Sequence, residues 1–260
     1  MNKQILKICT FNTWFSPYKR QERLNNLIKY INLINPDIIC FQELIKDTYN
    51  QLKSELSYKY YYPLNINQQN GYGCAIMSKY DFINCNTIYV PSNMHRNIIS
   101  IDIKINNILL NISNIHFESE FYEKINEIKI KQYKYVSNYL EEEYKKKRNI
   151  ILCADTNIMD CEEKKFNKIF HNFFDTNNLT NNITNNMINN MSKNMTKQKY
   201  TYNTKTNPYI LDKTNIIKLR LDRIIYKCDD LFLSNYKLLN KKKLIFSDHY
   251  GVLNDFIFKK

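Results

Sequence analysis

The residues best equipped for chemistry fall where apolar runs stop. Ile150-Ile151-Leu152-Cys153-Ala154 is followed at once by Asp155, Thr156 and Asn157. Such a run reads as a strand buried on both faces, which needs no polar alternation. Asp155 and Asn157 lie two apart, so a strand continuing through them would set both on one face. A carboxylate beside a carboxamide suits a general base next to an uncharged hydrogen-bond donor. The pattern recurs. Ile5 to Phe11 runs into Asn12, Ile38 to Phe41 into Gln42 and Glu43, Ile108 to Ile115 into His116, and Asp248 and His249 stand just before the last apolar run.

Taken singly, each has a plain structural reading: Glu43 as an exposed loop acid, His116 as a satisfied core histidine, Asp222-Arg223 as a surface ion pair. Taken together, the two histidines and the acids Glu43, Asp155 and Asp248 compose coherent phosphoryl chemistry. Glu43 could hold a hard divalent cation, because Mg²⁺ keeps several waters and needs only one or two carboxylates. Such an ion neutralises a phosphoryl oxygen and the leaving group. Asp155 could align or deprotonate the attacking water. Asn157, His116 and His249 could donate to the charged phosphorus centre. Asp248 could orient a histidine or bind metal. Other chemistries lack their motifs: there is no glycine-rich phosphate loop, no CxxC or HExxH zinc pattern and no Gly-x-Ser-x-Gly elbow.

The elements that must position these groups alternate between strand and helix. Arg20 to Leu33 carries Leu24, Leu27, Ile28 and Ile31 at helical spacing, and Asn35-Pro36-Asp37 breaks it. Thr48 to Leu56 and Glu123 to Arg148 read as further helices. Tyr58 to Tyr62, Cys74 to Met77, Phe82 to Val90, Ile98 to Ile105 and Ile108 to His116 read as strands, with Asn106-Asn107 as a hairpin turn. Lys199 to Thr204 is strand-like, Lys218 to Tyr226 a strand, and Tyr250 to Phe258 the last one. Residues from about 176 to 198 are Asn-rich and of low complexity, and read as a surface insertion. Because motif-like sequence resumes after it, residues 1–260 are expected to form one domain.

Composition narrows the class. The 260 residues carry a formal charge of +13, which favours a polyanionic partner such as nucleic acid. The Asn-, Lys- and Ile-rich composition that an AT-rich genome writes on its own explains part of that charge. Seven scattered cysteines form no CxxC pair and several sit in apolar runs, as free thiols do in a reducing compartment. No leader-like or membrane-spanning run is present. The expected location is intracellular, in nucleus, cytoplasm or both, without secretion and without a membrane partner.

In order along nearly the whole chain, Thr10-Phe-Asn12, Phe41-Gln-Glu43, His116-Phe-Glu-Ser119, Ala154-Asp-Thr-Asn157, Leu221-Asp-Arg223 and Ser247-Asp-His249 resemble the endonuclease/exonuclease/phosphatase superfamily. Within it, the likeness is to the tyrosyl-DNA phosphodiesterase branch. Asp160, Lys199-Tyr-Thr-Tyr202, Leu219-Arg-Leu-Asp-Arg-Ile224 and Phe246-Ser-Asp-His-Tyr-Gly251 carry it, with Ser92-Asn-Met-His-Arg-Asn97 and Gly71-Tyr72. The resemblance implies an α/β fold: a four-layered sandwich of two packed mixed sheets flanked by helices, with the site at one rim. It implies Mg²⁺-dependent, or Mn²⁺-dependent, hydrolysis of the phosphodiester joining a tyrosine to a DNA 5′ end, the adduct of a trapped type II topoisomerase. Protein-linked RNA is a related substrate, and a monomer the expected state.

By this match Glu43 is the metal ligand, with Asn12 and Asp248 beside it, and Asp155 activates water. Asn157, His116 and His249 stabilise the transition state, and Asp248 supports His249. Asn12, Ser119, Tyr72, Arg96, Tyr202 and Arg223 form the expected substrate-binding set. The chain departs from the pattern at Trp14, where an acid is usual, at Met159, where the branch has Arg, and at Tyr202, where it has Trp. Competing readings are an abasic endonuclease, an RNA exonuclease, or an inactive nucleic-acid-binding module. A binding module gains little from acids facing phosphate.

Overall fold

The computed structural model describes residues 4–66, 71–119, 127–146, 149–176 and 200–259. Its first elements are strand β1 (Ile5–Asn12), helix α1 (Arg20–Ile34), β2 (Ile38–Leu44), α2 (Lys46–Glu55), β3 (Tyr60–Tyr62) and β4 (Gly73–Ser78). There follow β5 (Asn84–Tyr89), β6 (Asn97–Ile105), β7 (Ile108–His116), α3 (Glu127–Lys145), β8 (Asn149–Asp155), α4 (Glu163–Ile169) and β9 (Phe174–Asp175). The chain closes with β10 (Tyr202–Asn203), β11 (Lys218–Leu219), β12 (Asp222–Lys227), β13 (Leu231–Leu239) and β14 (Gly251–Phe258).

Two six-stranded mixed sheets result, in the orders β13-β14-β1-β2-β4-β3 and β5-β6-β7-β8-β12-β9. β1 runs parallel to β2 and antiparallel to β14; β8 runs parallel to β7 and antiparallel to β12. β1 and β8 are therefore central strands, covered on both faces, which is why their sequences are continuously apolar.

Alternate residues divide each sheet between two cores. Leu6, Ile8, Ile38, Cys40 and Val252 of the first sheet meet Ile101, Ile112, Ile151, Cys153 and Ile224 of the second. The opposite faces carry Cys9, Phe11, Ile39 and Phe41 against α1 and α2, and Leu152, Ala154 and Ile225 against α3 and α4. The outcome is helix, sheet, sheet, helix: the four-layered α/β sandwich the resemblance implied. Each fully buried Leu or Ile contributes roughly 1.5–3 kcal/mol to holding these layers.

Local chemistry sets the ends. Leu24, Leu27, Ile28 and Ile31 form the buried stripe of α1, and Asn35 closes it in the left-handed region with its N–H on Ile31 O at 2.7 Å. Asn106 and Asn107 both take positive φ, 51° and 67°, as a tight two-residue hairpin turn requires. A methyl group at Gly251 would collide with the Phe11 ring, so glycine lets β14 close on β1.

The structure corrects two expectations. The strand expected over Lys218 to Tyr226 is interrupted at Arg220-Leu221, because the Leu221 and Asp222 N–H groups both turn onto Thr201 Oγ1 at 3.0 Å. β13 had no counterpart in the sequence reading. It is an edge strand whose register slips between Leu233 and Asn235, which breaks its alternation. Of the long helix expected over Glu123 to Arg148, Glu127–Lys145 is helical, and residues 123–126, 147 and 148 lie outside the described residues. The Asn-rich stretch, apart from Thr176, lies outside the described residues. No helix among the described residues is long and apolar enough to cross a membrane.

Candidate active site

Asp155 is the hub. The register of the second sheet sets His116, the last residue of β7, on one side of it and Asp222, the first residue of β12, on the other. The first sheet brings Asn12 from the end of β1. Asn12 Nδ2 donates to Asp155 Oδ2 at 2.7 Å and to Glu43 Oε1 at 3.0 Å, while its Oδ1 accepts the Trp14 N–H at 2.8 Å. One carboxamide thus clamps the acids of two sheets. Expected beside the metal, Asn12 presents its NH₂ group to that cluster rather than its oxygen.

Glu43 reaches the rim through a distortion. β2 is bulged between Phe41 and Leu44, and Glu43 takes a φ of 55°. A non-glycine residue in that region costs roughly 1–3 kcal/mol unless its surroundings hold it there. They do. Thr13 Oγ1 donates to Gln42 O and Glu43 O at 3.0 Å, and Asn114 Nδ2 to Phe41 O at 2.8 Å and Ala75 O at 3.0 Å. Gln42 Nε2 bonds Asn114 Oδ1 at 2.6 Å across the sandwich. The bulge re-aims the carboxylate, and these buried amides fix it.

Asn157 also arrives otherwise than expected. The strand ends at Asp155, and Asn157 turns left-handed with φ 48°. Its N–H bonds Asp155 Oδ1 at 3.1 Å and its Nδ2 bonds Phe117 O at 3.0 Å. An Asp-capped turn, not strand alternation, holds it against Asp155.

The histidines are electrostatic opposites. His116 Nε2 lies 3.6 Å from Asp155 Oδ2 and 3.9 Å from Glu43 Oε1. Burial, reinforced by Arg96, lowers its pKa to about 3, so its ring is neutral. Burial would also lower His249, but Asp222, Asp248 and Asp155 outweigh it and hold that ring well above the usual histidine value. His249 Nδ1 bonds Asp222 Oδ2 at 2.8 Å. The acid hydrogen-bonded to it is therefore Asp222, while Asp248, whose carboxylate accepts from Ser247 Oγ at 3.0 Å, supports the ring through charge alone. Asp222 is the functional residue that sequence reading missed: it begins a strand instead of ending one, and its neighbour Arg223 suggested an ion pair.

Among the acids, burial pushes Asp155 up, yet the charged His249 ring and the Asn12 and Asn157 hydrogen bonds prevail and leave it below the usual carboxylate range. Burial and then Asp248 push Glu43 up to about 7. Glu43 and Asp248 are partly exposed, whereas Asp155 and Asp222 are buried. Glu43, His116 and Asp155 bring ligand atoms within 4.8 Å of one another, as do Asp155, Asp222 and His249. Carboxylates gathered with too little counter-charge, offering oxygen and imidazole donors and no thiolate, fit a hard or borderline divalent cation.

Clefts open beside the site. At its His116 end a cavity of about 400 Å³ is lined by Tyr72, Arg96 and Ser92. The Arg96 guanidinium lies 5.3 Å from the Tyr72 ring, its Nη2 bonds Ser119 Oγ at 3.3 Å, and Tyr72 stacks on Phe15 at 4.7 Å. Tyr72, Arg96 and Ser119 are thus brought together. At the Asp248 end, Trp14, Tyr18, Tyr202, Tyr209 and Leu211 line a cleft of about 350 Å³, and Tyr202 meets the His249 ring edge-on at 5.5 Å. Arg223 does not join them. One residue from Asp222, it points to the other face of β12, where it is buried on Glu163 and Asp175 over the Phe166 ring.

The model of the endonuclease/exonuclease/phosphatase family matches residues 9–249. The chain is 27% identical over 247 residues to tyrosyl-DNA phosphodiesterase 2 of Bos taurus and, equally, to that of Homo sapiens. Each match takes in 89% of this chain but 62% of the relative, so the chain spans about three fifths of those proteins. Among solved structures, D. rerio TDP2 with single-strand DNA product superposes with a TM-score of 0.80 at 21% identity, covering 97% of this chain and 98% of that one. TDP2 from C. elegans gives 0.75 at 19%, covering 97% and 75%.

Proposed function

The chain belongs to the endonuclease/exonuclease/phosphatase family, and we propose that it is a Mg²⁺-dependent phosphodiesterase that frees DNA 5′ ends from a covalently bound tyrosine. The observation that carries this reading is the rim cluster of Asn12, Glu43, His116, Asp155, Asp222 and His249, flanked at the His116 end by a mixed cavity carrying Tyr72 and Arg96 and at the Asp248 end by an aromatic cleft. A phosphate with an aromatic residue on one ester oxygen and a nucleotide on the other needs room on two sides, and the two ends differ: one is aromatic, the other offers a ring beside a guanidinium. The likeness to tyrosyl-DNA phosphodiesterase 2 supports the same substrate.

Each side chain has work in that reaction. Asp155, ionised and fixed by Asn12 and Asn157, orients the attacking water and accepts its proton. Asp222 engages His249 Nδ1, which leaves the charged ring's Nε2 for a phosphoryl oxygen. Asn157 and neutral His116 donate without adding charge. Glu43, with Asp248 nearby, would hold the cation, which when bound neutralises phosphoryl charge. Water adds to phosphorus, the bond from phosphorus to the tyrosyl oxygen breaks, and the products are tyrosine and a 5′-phosphate. The departing phenolate belongs to an acid of pKa about 10, so it leaves without a strong proton donor.

We place this activity inside the cell, a setting suited to the free cysteines, and name topoisomerase II adducts as its substrate. The test is a product assay on matched 5′-tyrosyl DNA, 5′-tyrosyl RNA and abasic DNA, with Mg²⁺ and with chelator. Tyrosine and 5′-phosphate from the DNA adduct, only when Mg²⁺ is present, are expected. Faster turnover of abasic DNA, or none on the adduct, overturns the reading.

A further inference from the structure

One buried ion pair beside the site is not used by this chemistry. Lys129 of α3 is 1% exposed, and Glu162, in the turn after β8, is 2% exposed. Their side chains meet at 2.9 Å. Burying two charges costs about as much as their attraction returns, so such a pair is a poor source of stability. What it does hold is backbone. Lys129 Nζ donates to Asn157 O at 2.8 Å, and Glu162 Oε2 accepts the Met159 N–H at 3.0 Å. The pair grips both ends of the turn in which Asn157 stands left-handed.

The same face of α3 braces the neighbouring segments. Gln132, three residues on, accepts the Glu118 N–H and donates to Glu118 Oε2, both at 2.9 Å. Glu118 follows Phe117, whose carbonyl takes Asn157 Nδ2. Tyr133, four residues on, donates to Thr156 O at 2.9 Å. Lys129, Gln132 and Tyr133 thus form one buried polar stripe at i, i+3 and i+4 spacing. It is directed at the backbone on either side of Asn157.

We infer that Lys129, paired with Glu162, is a positioning residue that fixes the Asn157 carboxamide for the transition state. A donor misplaced by a fraction of an ångström loses much of its value, because such groups act through fixed geometry. Lys129 touches no reacting atom. The inference rests on the role given to Asn157 in the proposed hydrolysis.

The test is a cycle. Lys129→Met with Glu162→Gln keeps the volume, leaves no unpaired buried charge, and retains an acceptor for Met159. This double variant should melt close to the parent, lower kcat about 10-fold and leave KM unchanged. Lys129→Arg, which keeps a donor, should recover most of the rate. Added to Asn157→Ala, the double variant should cost nothing more, because the side chain it aims is gone. If it does not fold, Glu162→Gln alone is judged by the same criteria. A rise in KM alone, an unchanged kcat, or a loss that multiplies with that of Asn157→Ala overturns the inference. The ¹H–¹⁵N signal of the Asn157 side-chain amide gives a readout free of substrate, and must shift in the double variant. An inactive parent with that shift intact faults the proposed reaction; an active parent without it faults the inference.

Discussion

Two buried charge clusters share strand β12, one on each face, and consecutive residues belong to different ones. Behind the sheet, Arg220 and Arg223 meet Glu163 and Asp175: two cations against two anions. At the rim, the carboxyl groups of Glu43, Asp155, Asp222 and Asp248 surround one charged ring, His249. The rear set is neutral as it stands. The rim set is not, with four carboxyl groups to one charged ring; buried atoms without a hydrogen-bond partner occur in both sets, at Asp222 Oδ1 and His116 Nδ1 on the rim and at Arg223 Nε behind it. Burial and charge alone do not mark a functional site, since both clusters have them. Imbalance does, because unpaired buried charge is costly unless a ligand completes it.

The comparison fails most visibly if a rim acid proves dispensable. Asp155→Asn keeps the shape and removes the base, so single-turnover cleavage of the tyrosyl oligonucleotide should fall about 10³-fold or more while binding persists. A rate near that of the parent would demote the rim cluster to the status of the rear one.

Next is Asp222→Asn, with an expected loss of about 10²-fold near neutral pH. Its pH profile sharpens the point. His249 is held charged because Asp222, Asp248 and Asp155 outweigh burial. Without the Asp222 charge its folded pKa falls, and the imidazolium is lost at lower pH as pH rises. The deficit in kcat/KM should therefore grow from about pH 6 to about pH 8. A deficit that is flat with pH would mean that Asp222 acts by shape alone.

How legible this division was in sequence depends on where each residue sits. Glu43, His116, Asp155 and His249 adjoin apolar runs, so an abrupt change of polarity betrays them. Asp222 begins its strand, and period-two alternation says that Asp222 and Arg223 face opposite ways without saying which faces the cleft. The pair was therefore open to a plain reading as a surface ion pair, and the resemblance gave substrate to Arg223 and no role to Asp222. The sandwich was legible because β1, β2, β7 and β8 are central and apolar. Edge strand β13 was not, because its bulge scrambles the alternation. Asn157 was identified with the wrong geometry, since a left-handed turn leaves no periodic trace.

At the rear, Arg223→Met should leave kcat and KM per folded molecule unchanged. Stability in urea should fall by about 3–5 kcal/mol, because Glu163 and Asp175 lose a buried partner. A higher KM for the tyrosyl oligonucleotide would return Arg223 to the substrate.

The smallest effect separates the clusters by pH alone. Burial raises the Glu163 carboxyl, but the Arg223 and Arg220 guanidiniums outweigh it and hold it below the usual carboxylate range. A group whose folded pKa is depressed adds stability that is present above its unfolded value, about 4.3, and is lost as pH falls through the folded one. Glu163→Gln removes that dependence, so melting curves should flatten on the acid limb while the pH profile of cleavage stays where it was. The rim makes the opposite demand: there a change of charge must move catalysis. If Glu163→Gln shifts the cleavage profile, the two faces of β12 are coupled, and charge balance no longer separates the structural cluster from the functional one.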